Sequence, residues 1–494
     1  MAWGKSSRCA VALAVGLALS VGLAACSGGG GGEKDSASKS RATTVPREPG
    51  ASAATVEGPI TRGAITPPFD PRGTKVTDVG YTEHEWFASG TATRYVEQGD
   101  RTPDGDWTVT PAGTAPYKTR IVVRMPADPA SFHGVVALEW LNVSAFELAP
   151  DWAYLEDSMV DDGVAWVGVS AQALGIEGGT SLLDTGDPTQ ASANQGLKVS
   201  DPARYGSLTH PGDAYSFDIY SQVAAALRGK EGPRILGGSR VKHLLALGES
   251  QSAGFLTAYI NGIDPIAKVF DGYFVHSRFG GAANYDGSPA VRSSQVGYRI
   301  RTDLAVPVFV FETETDVLRG YALARQPDTD RLRVWEVAGT GHSDTYLVGD
   351  RTGICPSPIN DGPQHWVANA AFTHLISWVS DGTPPPHAKP LESHGTELHR
   401  DARGTALGGV RTPDVDVPIA TLSGATPPNA SQICSILGST VPFDKPTLRT
   451  LYTTKQDFLD KFTASLDDAI ARGYVRPSDR EAYLKRADNA PIPG

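Results

Sequence analysis

A hydroxyl, an imidazole and a carboxylate within hydrogen-bond reach of one another can cleave an acyl bond, and this chain carries the three groups in a workable order. The hydroxyl is Ser250, in Gly248-Glu249-Ser250-Gln251-Ser252-Ala253-Gly254. A serine hydroxyl is a weak nucleophile at neutral pH, so it needs a base and an acid to orient that base. His342, in Ala338-Gly339-Thr340-Gly341-His342, supplies an imidazole in a glycine-lined loop. Between them lies Glu312-Thr313-Glu314-Thr315-Asp316. Asp316 is the preferred orienting acid and Glu314 the alternative, because one residue of shift in the turn decides which carboxylate faces the imidazole. Asp271 is a remote third candidate. The same Gly-x-Ser pattern recurs at Gly50-Ala51-Ser52-Ala53-Ala54. Only Ser250, however, has a strand pattern before it and a helix pattern after it.

The elements that must position these groups are legible as alternating runs. Near-continuous apolar, β-rich stretches occur at 118–125, 134–141, 163–169, 241–247, 269–275, 306–311 and 333–337, the pattern of strands buried on both faces. Helical spacing joins Tyr215, Ile219, Tyr220, Val223 and Leu227 over 214–227, and Phe255, Leu256, Tyr259 and Ile260 over 251–261. A further helix opens at Pro363 and stops before Gly382 and three prolines. Phe458, Phe462, Leu466 and Ile470 mark a C-terminal helix ending at Gly473, and Ser478 to Glu481 has the form of a capping box. Alternation of this kind predicts an α/β fold with a mostly parallel central sheet and helices on both faces. Each of the three chemical groups then follows its own strand, at the sheet's carboxyl edge.

The strand, sharp Gly248-to-Ser252 turn and helix resemble the nucleophile elbow of the α/β-hydrolases, and the order serine, acid, histidine is theirs. Ser252 stands where the general elbow has a glycine. More of the chain, about Gly58 to Tyr474, resembles a bacterial group of exported α/β-hydrolase-domain proteins. The resemblance is carried by Gly80-Tyr81-Thr82-Glu83-His84-Glu85, Glu139-Trp140-Leu141-Asn142-Val143-Ser144, the Gly248 to Ala253 elbow, Glu312 to Asp316 and Gly408-Gly409-Val410-Arg411-Thr412-Pro413. It implies a serine-hydrolase site. In that fold the oxyanion hole uses the backbone N–H after the nucleophile, here Gln251, and a second N–H from the loop after an earlier strand, here Asn142 or Val143.

Two long connections, at about 170–213 and 278–303, are expected to act as lid-type insertions over the site. Tyr205, Phe279, Tyr285 and Tyr298 on them are candidates to line an acyl or alkyl pocket.

The 494 residues are 40 % apolar and 20 % charged with a net charge of −11, a globular composition with no basic block to follow a phosphate backbone, so nucleic-acid binding is not expected. Lys5 and Arg8 precede an apolar run that ends Leu23-Ala24-Ala25-Cys26. This resembles a lipoprotein signal over 1–25, with Cys26 lipidated and holding the chain to the outer face of a bacterial membrane. A glycine-, serine- and proline-rich tether is expected over 26–59, the hydrolase core over 60–388 and a C-terminal extension packed on it over 389–494. In an exported chain the remaining thiols, Cys355 and Cys434, are expected to pair as one disulfide. No metal-ligand spacing occurs, and no metal or other cofactor is expected. The reading reached is a lipid-anchored serine hydrolase of small or lipid-like carboxylic esters. A peptidase or acyltransferase with the same three residues and a non-catalytic binding lipoprotein are the alternatives. The oligomeric state is not legible.

Overall fold

The computed structural model describes residues 49–70, 72–186, 190–288, 296–349, 351, 353–427 and 430–492. The signal peptide, Cys26 and most of the expected tether lie outside the described residues. Nine strands form one sheet: β1 (Thr55–Glu57), β2 (Tyr81–Glu97), β3 (Val109–Pro126), β4 (Val135–Trp140), β5 (Ala165–Val169), β6 (His243–Glu249), β7 (Gly272–His276), β8 (Val308–Thr313) and β9 (Leu332–Val337). Their order is β1-β2-β3-β5-β4-β6-β7-β8-β9. The six strands from β5 to β9 run parallel, and β1 to β3 form an antiparallel wing joined to β5.

Side chains alternate across the sheet because successive Cβ atoms of a strand point to opposite faces. Leu244 and Ala246 of β6, with Val308 and Val310 of β8, pack into the core shared with the helices Ser216–Arg228 and Gln251–Ala258. Leu245, Leu247, Phe309 and Phe311 point the other way, into the core formed with the helices Pro150–Asp161 and Gln364–Asp381. Both faces are covered, which is why these strands read as unbroken apolar runs.

Several expectations need correction. The long β2–β3 hairpin is legible only in its last third, since most of Thr91 to Thr114 is polar, although Ala92, Tyr95, Trp107 and Val109 within it are buried. The sheet also starts inside the expected tether: Val56 of β1 is buried, and Thr55 to Glu57 pairs with Phe87 to Ser89. Among its described residues the insertion over 170–213 contains four short helices, Ala173–Glu177, Gln190–Ala193, Gly196–Ser200 and Pro202–Tyr205. No capping box forms at Ser478; a 3-10 turn Pro477–Asp479 leads into the helix Arg480–Asp488, because Asp479 is drawn to Arg476 at 2.5 Å. Asp271 precedes β7, at the opposite edge of the sheet from the other acids, and pairs with Arg228 at 2.5 Å.

The C-terminal extension packs Phe458, Phe462, Leu466 and Tyr483 into a small core of its own. It joins the sheet's helices through stacking of Tyr483 on Trp366 at 4.9 Å. Cys355 and Cys434 are disulfide-bonded, with Cα atoms 5.6 Å apart.

Candidate active site

The site forms where four parallel strands end at their carboxyl edge. After β6 the backbone reverses at Ser250, which has φ 58° and ψ −115°, a region that non-glycine residues occupy at a cost of about 1–3 kcal/mol. The turn is held by the Ser250 N–H donating to His276 O at 2.9 Å. The helix Gln251–Ala258 starts at once and crosses tightly over Gly248. A Cβ on Gly248 would meet Ser252 C and Leu256 Cδ1 at 3.0 Å, so a side chain there would press on the close strand-to-helix approach. Ser252, fully buried in that contact, is small enough to leave the approach unchanged.

After β8, Thr313 caps the helix Glu314–Leu318, accepting from Asp316 N, while Asp316 Oδ2 accepts from Thr313 N–H at 2.8 Å and from its hydroxyl at 2.6 Å. This reciprocal cap turns Asp316 Oδ1 toward His342 Nδ1, 2.7 Å away. His342 Nε2 in turn lies 2.8 Å from Ser250 Oγ. Burial pushes the Asp316 carboxyl up, but the His342 charge and the hydrogen bonds from His342 and Thr313 together outweigh it and hold the carboxyl below its ordinary value. Phe279 stacks on the imidazole at 4.5 Å.

Glu314 does not face the histidine. Its Oε1 accepts from Gly339 N at 2.6 Å, and its Oε2 accepts from Gly424 N at 3.0 Å and pairs with Arg400 at 2.9 Å. It therefore ties the loop that bears His342, with Gly339 at φ 76°, to the C-terminal extension. The cap at Thr313 decides between the two acids, pointing Asp316 inward and Glu314 to the adjoining loops.

Of the expected oxyanion donors, the Gln251 N–H heads its helix and has no intrahelical acceptor. The Val143 N–H lies across from it and donates to the Gln251 side-chain Oε1 at 3.2 Å. The Asn142 N–H is spent on Leu148 O at 3.0 Å, so Asn142 is not a backbone donor to the site. Its side chain serves instead as a brace: Nδ2 donates to Glu249 O at 3.0 Å, and Oδ1 accepts from Ser144 N at 2.7 Å.

Beneath the site lies a polar network that sequence reasoning missed. Asp151 Oδ1 sits 2.8 Å from His276 Nδ1, and Glu139 accepts from Asp151 N, Trp152 N and Trp166 Nε1 at 2.7–3.0 Å. Burial lowers the His276 pKa to about 3, so this second histidine is neutral. The signal available was a charged residue at the end of otherwise apolar strands: Glu139 in Val-Val-Ala-Leu-Glu-Trp and His276 in Gly-Tyr-Phe-Val-His.

A cavity of about 380 Å³ opens beside Ser250, walled mainly by Phe69, Phe146, Leu183, Phe279, Ile354, Ile436 and Leu437. The first insertion contributes Leu182, Leu183 and Thr185, and the second Phe279 and Gly281. Of the four aromatic candidates only Phe279 reaches the cavity. Tyr205 donates to Glu85, Tyr285 donates to Ala258 O, and Tyr298 packs edge-on against Trp107. The residues after Gln432 complete the wall, a contribution of the C-terminal extension that no local pattern announced. Among the described residues no cluster of His, Cys, Asp and Glu is able to hold a metal ion.

Comparison with known proteins places the chain beside hydrolases. The family described as alpha/beta hydrolase domain matches residues 56–485. Solved structures that align with the chain include a putative dienelactone hydrolase from Klebsiella pneumoniae subsp. pneumoniae MGH 78578, at 12 % identity over 51 % of this chain and 85 % of that one, TM-score 0.27. Esterases from Rhizomucor miehei align at 11 % identity over 59 % and 84 %, TM-score 0.30. XC6422 from Xanthomonas campestris, described as an a/b serine hydrolase without lid, aligns at 12 % over 45 % and 72 %, TM-score 0.23. No curated protein matches.

Proposed function

We propose, for a chain that belongs to the alpha/beta hydrolase domain family, that it cleaves carboxylic esters through an acyl-enzyme formed on Ser250. The observation that carries this reading is the unbroken run Ser250 Oγ to His342 Nε2 at 2.8 Å and His342 Nδ1 to Asp316 Oδ1 at 2.7 Å, beside an apolar cavity. His342 takes the Ser250 proton as Oγ attacks the ester carbonyl carbon, and returns it to the leaving alkoxide when the carbon–oxygen bond breaks. Asp316 keeps the proton of the resting imidazole on Nδ1, so that Nε2 presents its lone pair to the hydroxyl. Charge gathering on the carbonyl oxygen meets the Gln251 N–H, and the Val143 N–H once the Gln251 amide swings away from it. Water then attacks the acyl-enzyme by the same route in reverse. The apolar wall favours an ester whose acyl or alkyl part is hydrocarbon, in a cavity within the usual range for small-molecule sites.

The test is covalent labelling by a fluorophosphonate, wild type beside Ser250→Ala. Labelling of the wild type alone is expected. A folded wild type that takes no label removes the hydrolase reading, and label retained by the alanine variant removes Ser250 as nucleophile.

A further inference from the structure

The residue before the nucleophile carries an acceptor atom that the resting site does not use. Glu249 ends β6 and is 4 % exposed. Its Oε2 accepts from Asn142 Nδ2 at 3.3 Å. Its Oε1 lies 3.4 Å from His342 Nε2, sealed from solvent and without a hydrogen bond. Nε2 is the nitrogen that faces Ser250 Oγ. While it holds a lone pair, an oxygen beside it gains nothing, and a buried acceptor left unmade is unfavourable.

We infer that Glu249 is a positioning residue, whose Oε1 accepts the Nε2–H of His342 only once the imidazole has taken the Ser250 proton. The inference rests on the Ser250 and His342 reading above. The Ser250 O–H bond breaks as the bond from Oγ to the carbonyl carbon forms; the proton passes to Nε2 and then to the leaving alkoxide. Glu249 neither gains nor loses a proton or an electron in this sequence. An interaction absent in the resting enzyme and present in the tetrahedral intermediate lowers the barrier, where one made equally in both states does not. Asp316, in the helix that follows β8, therefore holds one nitrogen of the imidazolium, and Glu249, at the end of β6, braces the other.

The surroundings favour this division of labour. Asp151 and Tyr154 face Glu249 from the helix Pro150–Asp161, Glu139 from β4, and Asp316 from the helix Glu314–Leu318. His276 of β7 is occupied with Asp151 at 2.8 Å. Burial first, then the charges of Asp151, Asp316 and Glu139, push the Glu249 carboxyl well above its ordinary value.

The experiment uses the full chain and a p-nitrophenyl ester, with the fluorophosphonate as a second readout. Glu249→Leu removes the acceptor at similar volume, and is expected to lower kcat about tenfold or more with KM within about twofold, the loss of one hydrogen bond to a charged group. The acid limb of kcat/KM is expected to move to lower pH, because an imidazolium without its second acceptor gives up its proton more readily. Glu249→Gln, which restores an acceptor oxygen at the same reach, recovers most of the rate. Glu249→Ala carries the same expectation as the leucine variant should that one not fold. A leucine or alanine variant with the wild-type kcat, or one slowed with its acid limb unmoved, overturns the inference while wild-type labelling leaves the Ser250 reading standing. A folded wild type that takes no label overturns both.

Discussion

Asp316→Asn separates orientation from charge at the imidazole, and the hydrogen bonds already present fix which way the amide turns. Oδ2 accepts from the Thr313 N–H at 2.8 Å and from its hydroxyl at 2.6 Å, while Oδ1 faces His342 Nδ1 at 2.7 Å. A backbone N–H only donates, so the asparagine keeps its oxygen toward Thr313 and presents its NH2 to His342. Two donors cannot share that contact, and the imidazole is driven to the tautomer with its proton on Nε2. That nitrogen then has no lone pair for the Ser250 proton 2.8 Å away. The same carboxylate-to-amide change in a Ser-His-Asp protease lowers kcat about 10⁴-fold, equivalent to about 5.4 kcal/mol of barrier. A loss of about 10³- to 10⁴-fold is expected here, read as kcat on a p-nitrophenyl ester at neutral pH with Tm recorded alongside. Glu314→Gln is the control. It loses an ion pair with Arg400, whose guanidinium is partly in water, so a stability loss of up to about 3 kcal/mol is expected, with kcat of the folded protein within a few-fold. An Asp316→Asn enzyme within tenfold of wild type, or a Glu314→Gln enzyme that loses more, refutes the assignment of the acid and the tautomer argument with it.

Two further outcomes follow from buried contacts around the cavity. The Cys355–Cys434 bridge closes a loop of 79 residues in sequence separation, and its removal in Cys355→Ser/Cys434→Ser is expected to destabilise by about 4–5 kcal/mol in the chain-entropy estimate. That is a fall in Tm on the order of 5 °C for a chain of this size, and a calorimetric shift below about 1 °C contradicts it. The Asp344 carboxyl, raised to about 7 by burial, makes the fold less stable as pH rises from its unfolded value near 4 toward 7, since the folded state binds the extra proton. Asp344→Asn keeps the acceptor for Tyr154 and Leu347 without that penalty, so its stability relative to wild type should be higher near pH 8 than near pH 5. Denaturant titrations with the same difference at both pH values count against the buried-carboxyl explanation.

What the sequence made legible was whatever depends on neighbours along the chain. The apolar runs of β4 to β9 are long enough to betray strands buried on both faces, and the turn at Ser250 is announced by small residues on either side of it. The placement of His342 one strand later than the acids also needs only chain order. The hairpin of β2 and β3 was less visible because much of its length is polar, and polar ribbon carries no core pattern. β1 escaped because three residues of Thr-Val-Glu have too short a period to stand out from a tether rich in small residues.

The choice between Asp316 and Glu314 illustrates what local pattern cannot hold. Both carboxylates are fully buried, two residues apart at one strand end, and composition treats them alike. Their separation comes from partners remote in sequence: Gly339 and Gly424 supply N–H donors to Glu314, and Arg400 supplies a charge. Gly424 must also lack a side chain, since a Cβ there would fall 2.3 Å from Thr315 N. The extension after residue 389 thus does two things for the site, neutralising the wrong carboxylate and walling the cavity with Ile436 and Leu437. A chain truncated before that extension would leave Glu314 buried without its cation and with one N–H donor fewer. The loop carrying His342 hangs on that same carboxylate through Gly339, so the geometry of the base depends on Gly424, 82 residues downstream of it.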